Sequence, residues 1–205
     1  RLAVHATSPL PAWLWSTDGA WLLWANPAGA RVFGAHNGRE LAARPIGPAD
    51  PQRRQILRLA GRLSPSGATR LERLSGFGAT LGRLVTCACT RLTFDGEASV
   101  LLVAVDQTGR VMPLAERLTH LVETIGMPAM AFAQDGDFAG ANDSAKAQLD
   151  MTDMAALVTE PVRTEVMREG RADMRSDLAR IALHRVGAGT DAAIVALISP
   201  VIVMH

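Results

Sequence analysis

Four tryptophans fall within twelve residues: Trp13, Trp15, Trp21 and Trp24. Such rings either stack on a ligand or fill a core or an interface. Alternation along a strand allots some of them to packing and leaves Trp13, Trp15 and Trp24 as candidates for lining a pocket, where a non-covalent flavin is one possible occupant. Cys87 and Cys89 stand two apart in a strand-like run. They therefore share a face, at a spacing ill suited to a disulfide between them. Unpaired thiols fit a reducing, cytoplasmic setting. His5, His36, His184 and His205 are scattered, without the spacing of metal ligands. The chain offers no Ser/His/Asp order in a supporting context, no carboxylate pair in an obvious cleft and no phosphate-binding glycine loop. Gly76-Phe77-Gly78 falls between two strand-like runs and reads as a hairpin turn. The expected chemistry is recognition, with no catalytic residue, metal or cofactor of its own.

These residues sit in a pattern that occurs twice. PAWLWSTDGAWLLWAN at 11–26 is answered by PAMAFAQDGDFAGAN at 128–142. Pro11-Ala12 and Asp18-Gly19 recur 117 residues later as Pro128-Ala129 and Asp135-Gly136, and Asn26 recurs 116 later as Asn142. Each copy reads as strand, Asp-Gly turn, strand, then an Asn capping a helix. Asp18, Asp95 and Asp135 all precede Gly and are turn formers first.

After Asn26-Pro27 a helix runs to about Phe33, with a short helix near 39–43 and an amphipathic one over Gln52–Leu63. Strands follow at about 69–75, 80–94 and 97–106, the last two joined by Asp95-Gly96. This order predicts an α+β domain with an antiparallel five-stranded sheet and helices over one face. The second copy is shorter: a helix after Asn142, another near 160–169, and strand-like runs near 172–186 and 191–198. Between the copies, Val111, Leu114, Leu118, Leu121 and Ile125 are spaced 3, 4, 3, 4. That is either the heptad seam of a dimer or one apolar face of a helix packed on its own domain.

At 205 residues, 48% hydrophobic and 20% charged, the chain has the composition of a globular protein with room for two modest cores. Net charge is +1, from 21 basic and 20 acidic residues, which provides no basic field for nucleic acid or acidic lipid. No apolar run approaches membrane-spanning length. Beginning at Arg1 and ending in an apolar tail, Pro200 to His205, the chain reads as a piece of a longer protein.

The order of elements, with Asp18-Gly19, Asn26-Pro27-Ala28, Phe33-Gly34, three C-terminal strands and Asp106-Gln107-Thr108, resembles a PAS domain, and the whole chain resembles two in tandem. The resemblance covers 11–108 most closely and 119–199 more loosely. The second copy ends Leu197-Ile198-Ser199-Pro200, without the Asp-x-Thr signature. The boundaries expected are 8–108 for the first domain, 109–126 for a linker or signalling helix, and 127–199 for the abbreviated second domain.

The resemblance implies a sensing and dimerising region, as in bacterial histidine kinases including cell-cycle regulators, and sometimes in cyclic-dinucleotide enzymes. Asp106 and Thr108 would relay a signal from the last strand to the helix beyond. Haem-binding members carry a histidine in the long central helix, absent from 52–63, and light-sensing flavin members a cysteine in an Asn-Cys-Arg setting, absent here. Leu118-Thr119-His120 distantly resembles a kinase phosphoacceptor box, yet lacks the acidic neighbour and the Arg-Thr-Pro, so His120 is expected to face solvent. The partners implied are a second copy, a downstream kinase domain and a response regulator. Alternatives are a small-molecule receptor or a docking platform for a kinase or response regulator.

Overall fold

The structure is a computed structural model that describes residues 2–78, 83–106, 110–148, 157–175 and 179–200. It divides into two compact units, Pro9–Val111 and Arg1–Ser8 together with Met112–His205. Both are α+β, and each holds one antiparallel five-stranded sheet.

The first unit runs β1 (Ala12–Ser16), β2 (Leu22–Ala25), α1 (Pro27–Val32), α2 (Gly38–Ala42), α3 (Pro51–Ala60), β3 (Arg70–Ser75), β4 (Leu84–Phe94) and β5 (Glu97–Ala104). Its strand order is β2-β1-β5-β4-β3. The second unit runs α4 (Leu114–Glu123), β6 (Ala129–Ala133), β7 (Phe138–Ala141), α5 (Asp143–Lys146), α6 (Glu160–Glu169), β8 (Arg171–Arg175), β9 (Ala179–Val186) and β10 (Ala193–Pro200). Its order, β7-β6-β10-β9-β8, is the same arrangement reached a second time. The run expected as one strand near 172–186 is two, β8 and β9, which completes the fifth strand.

The repeat extends to single hydrogen bonds. Asn26 caps α1 by accepting from Gly29 N, accepts from Ala12 N at the start of β1, and donates to Leu10 O. Asn142 caps α5 by accepting from Ala145 N, accepts from Ala129 N at the start of β6, and donates to Met127 O. One amide thus fixes a helix start and a strand start at once, which satisfies donors that both ends would otherwise leave unpaired. Both hairpins also slip register at the same place, between Leu14 and Trp15 and between Ala131 and Phe132. The one-residue difference in the repeat is absorbed in the turn. The first closes between Ser16 N and Trp21 O, the second between Ala133 N and Asp137 O.

The cores are formed by alternate residues of the strands. In the first unit Trp13, Trp15, Cys87, Cys89, Val100 and Leu102 meet Ile56, Leu59 and Ala60 of α3. In the second, Met130, Phe132, Leu183 and Ile194 meet Ala145 of α5 and Val166 of α6. The second sheet is covered on its other face too, an addition to the expected one-sided arrangement. There Leu118 and Val122 of α4 pack on Ala129, Ala131 and Ala193. Small residues permit this approach: a side chain at Gly140 would begin 3.0 Å from Thr119 Oγ1. Asn142 holds the far end of α4 by donating to Val122 O and Ile125 O.

Residues 2–8 form a strap on the second unit, which sequence patterning did not reveal. Leu2–His5 is a 3-10 turn. Gly187 N donates to Ala3 O at 2.7 Å, and Thr7 Oγ1 donates to Asp191 O. Arg117 of α4, only 4% exposed, donates to Thr7 O and pairs with Asp191 Oδ1 at 2.8 Å.

Candidate functional site

The pleat of β1 sends Trp13 and Trp15 towards the helices and Leu14 to the opposite face. Trp24 pairs with Leu14, so it lies on that opposite face and is half-buried. Trp21 is 66% exposed. The two inward tryptophans join Phe33 and Phe77 in a cluster of edge-to-face rings with centroids 5.5–6.1 Å apart. Phe77 is fully buried although it belongs to the Gly76-Phe77-Gly78 turn. Gly76 and Gly78 adopt φ of 80° and 83°, and this left-handed backbone turns the ring inward. Reading that tripeptide as a turn alone missed a core residue; the glycines on either side of a phenylalanine were the available signal.

Trp13 donates its indole N–H to Gly29 O at 3.0 Å and packs away from the cavity. Trp15 does border it. This cavity, of about 190 Å³, lies under α2 and the loop leading to α3, and is walled by Leu22, Phe33, Leu41, Pro45 and Ile46. Arg44, Asp50 and Gln52 complete the lining. Their polar groups already serve the backbone. Arg44 donates to Phe33 O and Gly34 O and pairs with Glu40 at 2.7 Å; that pairing holds the exposed Glu40 carboxyl below its usual range. Asp50 caps α3 by accepting from Gln52 N. The indole N–H of Trp15, by contrast, is buried without a hydrogen-bond partner. Of the three tryptophans expected to line a pocket, Trp15 borders this cavity, and Trp13 and Trp24 are not among its lining residues.

An apolar cavity of roughly 150 Å³ admits benzene, whereas drug-sized ligands occupy about 300–1,000 Å³. This one is open to solvent on one side, and its inner part is of a size to seat a single ring.

The remaining expected residues are placed as follows. Asp106 is exposed just beyond β5, and Thr108 lies outside the described residues. Leu118 and Leu121 are buried, Leu114 and Ile125 are partly buried against the same sheet, and Val111 is 48% exposed. The heptad spacing thus supplies the face by which α4 packs on its own unit. His120 does not face solvent as expected: its side chain is 17% exposed, with Nδ1 3.3 Å from Glu123 Oε2 and Nε2 3.9 Å from Glu116. Cys87 and Cys89 are buried, free and on one face of β4, and burial pushes both thiols up to about 12. They are inert at neutral pH. Helix α3 carries no histidine.

No family model matches the chain, and no curated protein matches it. Solved structures do. An extracellular ligand-binding receptor from Desulfohalobium retbaense is 9% identical over 92% of this chain and 29% of that one, with a TM-score of 0.26. The ligand-binding domain of the Campylobacter jejuni chemoreceptor Tlp3, in complex with 4-methylisoleucine, is 13% identical over 96% and 67%, with a TM-score of 0.28. A domain described as a sensory box/GGDEF family protein from Vibrio parahaemolyticus is 10% identical over 97% and 75%, with a TM-score of 0.30. The chain spans under a third of the first of these. Scores this low add nothing to the functional reading, which rests on the chain's own geometry.

Proposed function

We propose that the chain is the sensory region of a signal-transduction protein, two PAS-like domains in tandem, of which the first is a receptor for a small molecule. The observation that carries the proposal is the cavity beneath α2, partly open to solvent, in one of two units that share a strand order. Occupancy would bias the position of α2 and its loop against the sheet. Gly38 at the start of α2 abuts Ala25 O of β2, so the helix and the edge strand move together. The response is then a population shift between two packings. A histidine kinase domain in the same cytoplasmic protein is the proposed receiver, with a second copy and a response regulator as partners and Asp106 and Thr108 as the exit.

Benzene is a suitable first probe because it needs only apolar walls and space. Saturating benzene raises the melting temperature of the wild-type chain by mass action. Ile46→Phe, which fills the mouth of the cavity from a half-buried loop, removes the rise while melting at nearly the same temperature without benzene. A wild-type chain whose melting does not respond contradicts the receptor reading.

A further inference from the structure

We infer that Arg117 is a clasp that holds both chain ends of the first unit on the second, and that the strap it grips is a second exit for the signal, beside Asp106 and Thr108. The inference rests on the receptor reading above. Connectivity comes first. The first unit, Pro9–Val111, is joined to the second at both of its ends, because residues 2–8 belong to the same unit as α4. Thr7 stands two residues before the first unit and Arg117 six residues after it.

Inside the first unit the two ends leave from one place. Ala104 N, at the end of β5, donates to Pro11 O at 2.9 Å. Asn26 donates to Leu10 O, and the same side chain caps α1, whose C-cap residue Phe33 walls the cavity. A shift of α1 therefore reaches Leu10 through one amide.

On the second unit the two ends meet again. Arg117, in the first turn of α4 and buried, donates to Thr7 O and pairs with Asp191 Oδ1 at 2.8 Å. Thr7 Oγ1 in turn donates to Asp191 O. The loop between β9 and β10 is shaped to admit the strap: a side chain at Gly187 would run into Thr7 Oγ1 and Asp191 O.

This grip is specific, yet built to open. Of residues 2–8 only Ala6 and Thr7 are buried, and Val4 is half-exposed, so little apolar area opposes release. Arg117 Nε is buried without a hydrogen-bond partner, so release also returns an incompletely satisfied guanidinium to water. The cavity and the docked strap occur in the same state of the molecule. A ligand that fits this cavity therefore favours docking.

Amide exchange of the intact chain, with benzene as the probe, tests the clasp. The Gly187 N–H, tied to Ala3 O, reports on the strap, and the β9 amides report on the second unit as a whole. Saturating benzene should slow exchange at Gly187 about fivefold and leave β9 unchanged. In Arg117→Met, Gly187 should exchange about tenfold faster and ignore benzene, while benzene still raises the melting temperature. Thr7→Val keeps the guanidinium and removes one hydrogen bond; it should speed exchange and weaken the response, and it serves where Arg117→Met fails to fold. Melting that rises with benzene while Gly187 exchange stays constant overturns the clasp and leaves the receptor reading standing. So does a Gly187 response that survives Arg117→Met in full. Melting that ignores benzene overturns the receptor reading, and this inference with it.

Discussion

Two asparagines, 116 residues apart, do the same work in each unit, and their side chains have little slack. Asn142 Oδ1 accepts from Ala129 N and Ala145 N, while Nδ2 donates to Met127 O and Ile125 O. Asn142→Ala removes a helix cap and strands several buried backbone groups together, so it should cost about 2–4 kcal/mol. Asn142→Asp keeps the acceptor but loses the donor and should fall between alanine and wild type. Chemical denaturation followed through the second unit measures both; equal losses for the two variants would show that the donor half of the amide contributes nothing. The asparagine was visible in the sequence as a cap. Its second task, at the head of β6, was not, because it depends on the helix start and the strand start being neighbours in space.

Element by element, local signals and long-range ones part company. Hairpins, Asp-Gly turns and the helix over Glu160–Glu169 follow from short-range pattern, and the repeat organised them into two sheets. The 3, 4, 3, 4 spacing of α4 was equally clear, yet spacing shows only that one face is apolar. The covering partner is set by Ala129, Ala131 and Gly140, whose small size admits a helix on the second sheet. The strap had no periodicity at all, since a 3-10 turn held by Gly187 N, Asp191 and Arg117 leaves no pattern in Leu2–His5. It does leave a pH signature. Burial holds His5 below its ordinary value of 6.5. The folded state therefore binds fewer protons there than the unfolded state, and docking of the strap weakens as pH falls through about 6.5. Amide exchange at Gly187, whose N–H is tied to Ala3 O, should be faster at pH 5.5 than at pH 7.5 once corrected for intrinsic rates, and His5→Gln should flatten the difference. Identical protection at both values would mean that His5 does not govern docking.

The molecule as a whole uses one architecture twice and fills it differently. The first unit surrounds four aromatic rings and leaves space beside Trp15; among the described residues the core of the second is built from alanines, aliphatic side chains and the Phe132–Phe138 pair, with α4 behind its sheet. That contrast is why sensing is assigned to the first. The tryptophan count pointed to the right strand, but which indole borders a cavity depends on a register slip between Leu14 and Trp15 and on Phe77 turning inward, neither of which composition reveals. The most direct test uses the four indole N–H signals of the intact chain in a ¹H–¹⁵N spectrum, followed while benzene is added. The Trp15 signal should move and saturate, with Trp13 nearly still and the exposed Trp21 unchanged; a Trp15 signal that holds its position while benzene binds, or moves no more than that of Trp21, contradicts the account.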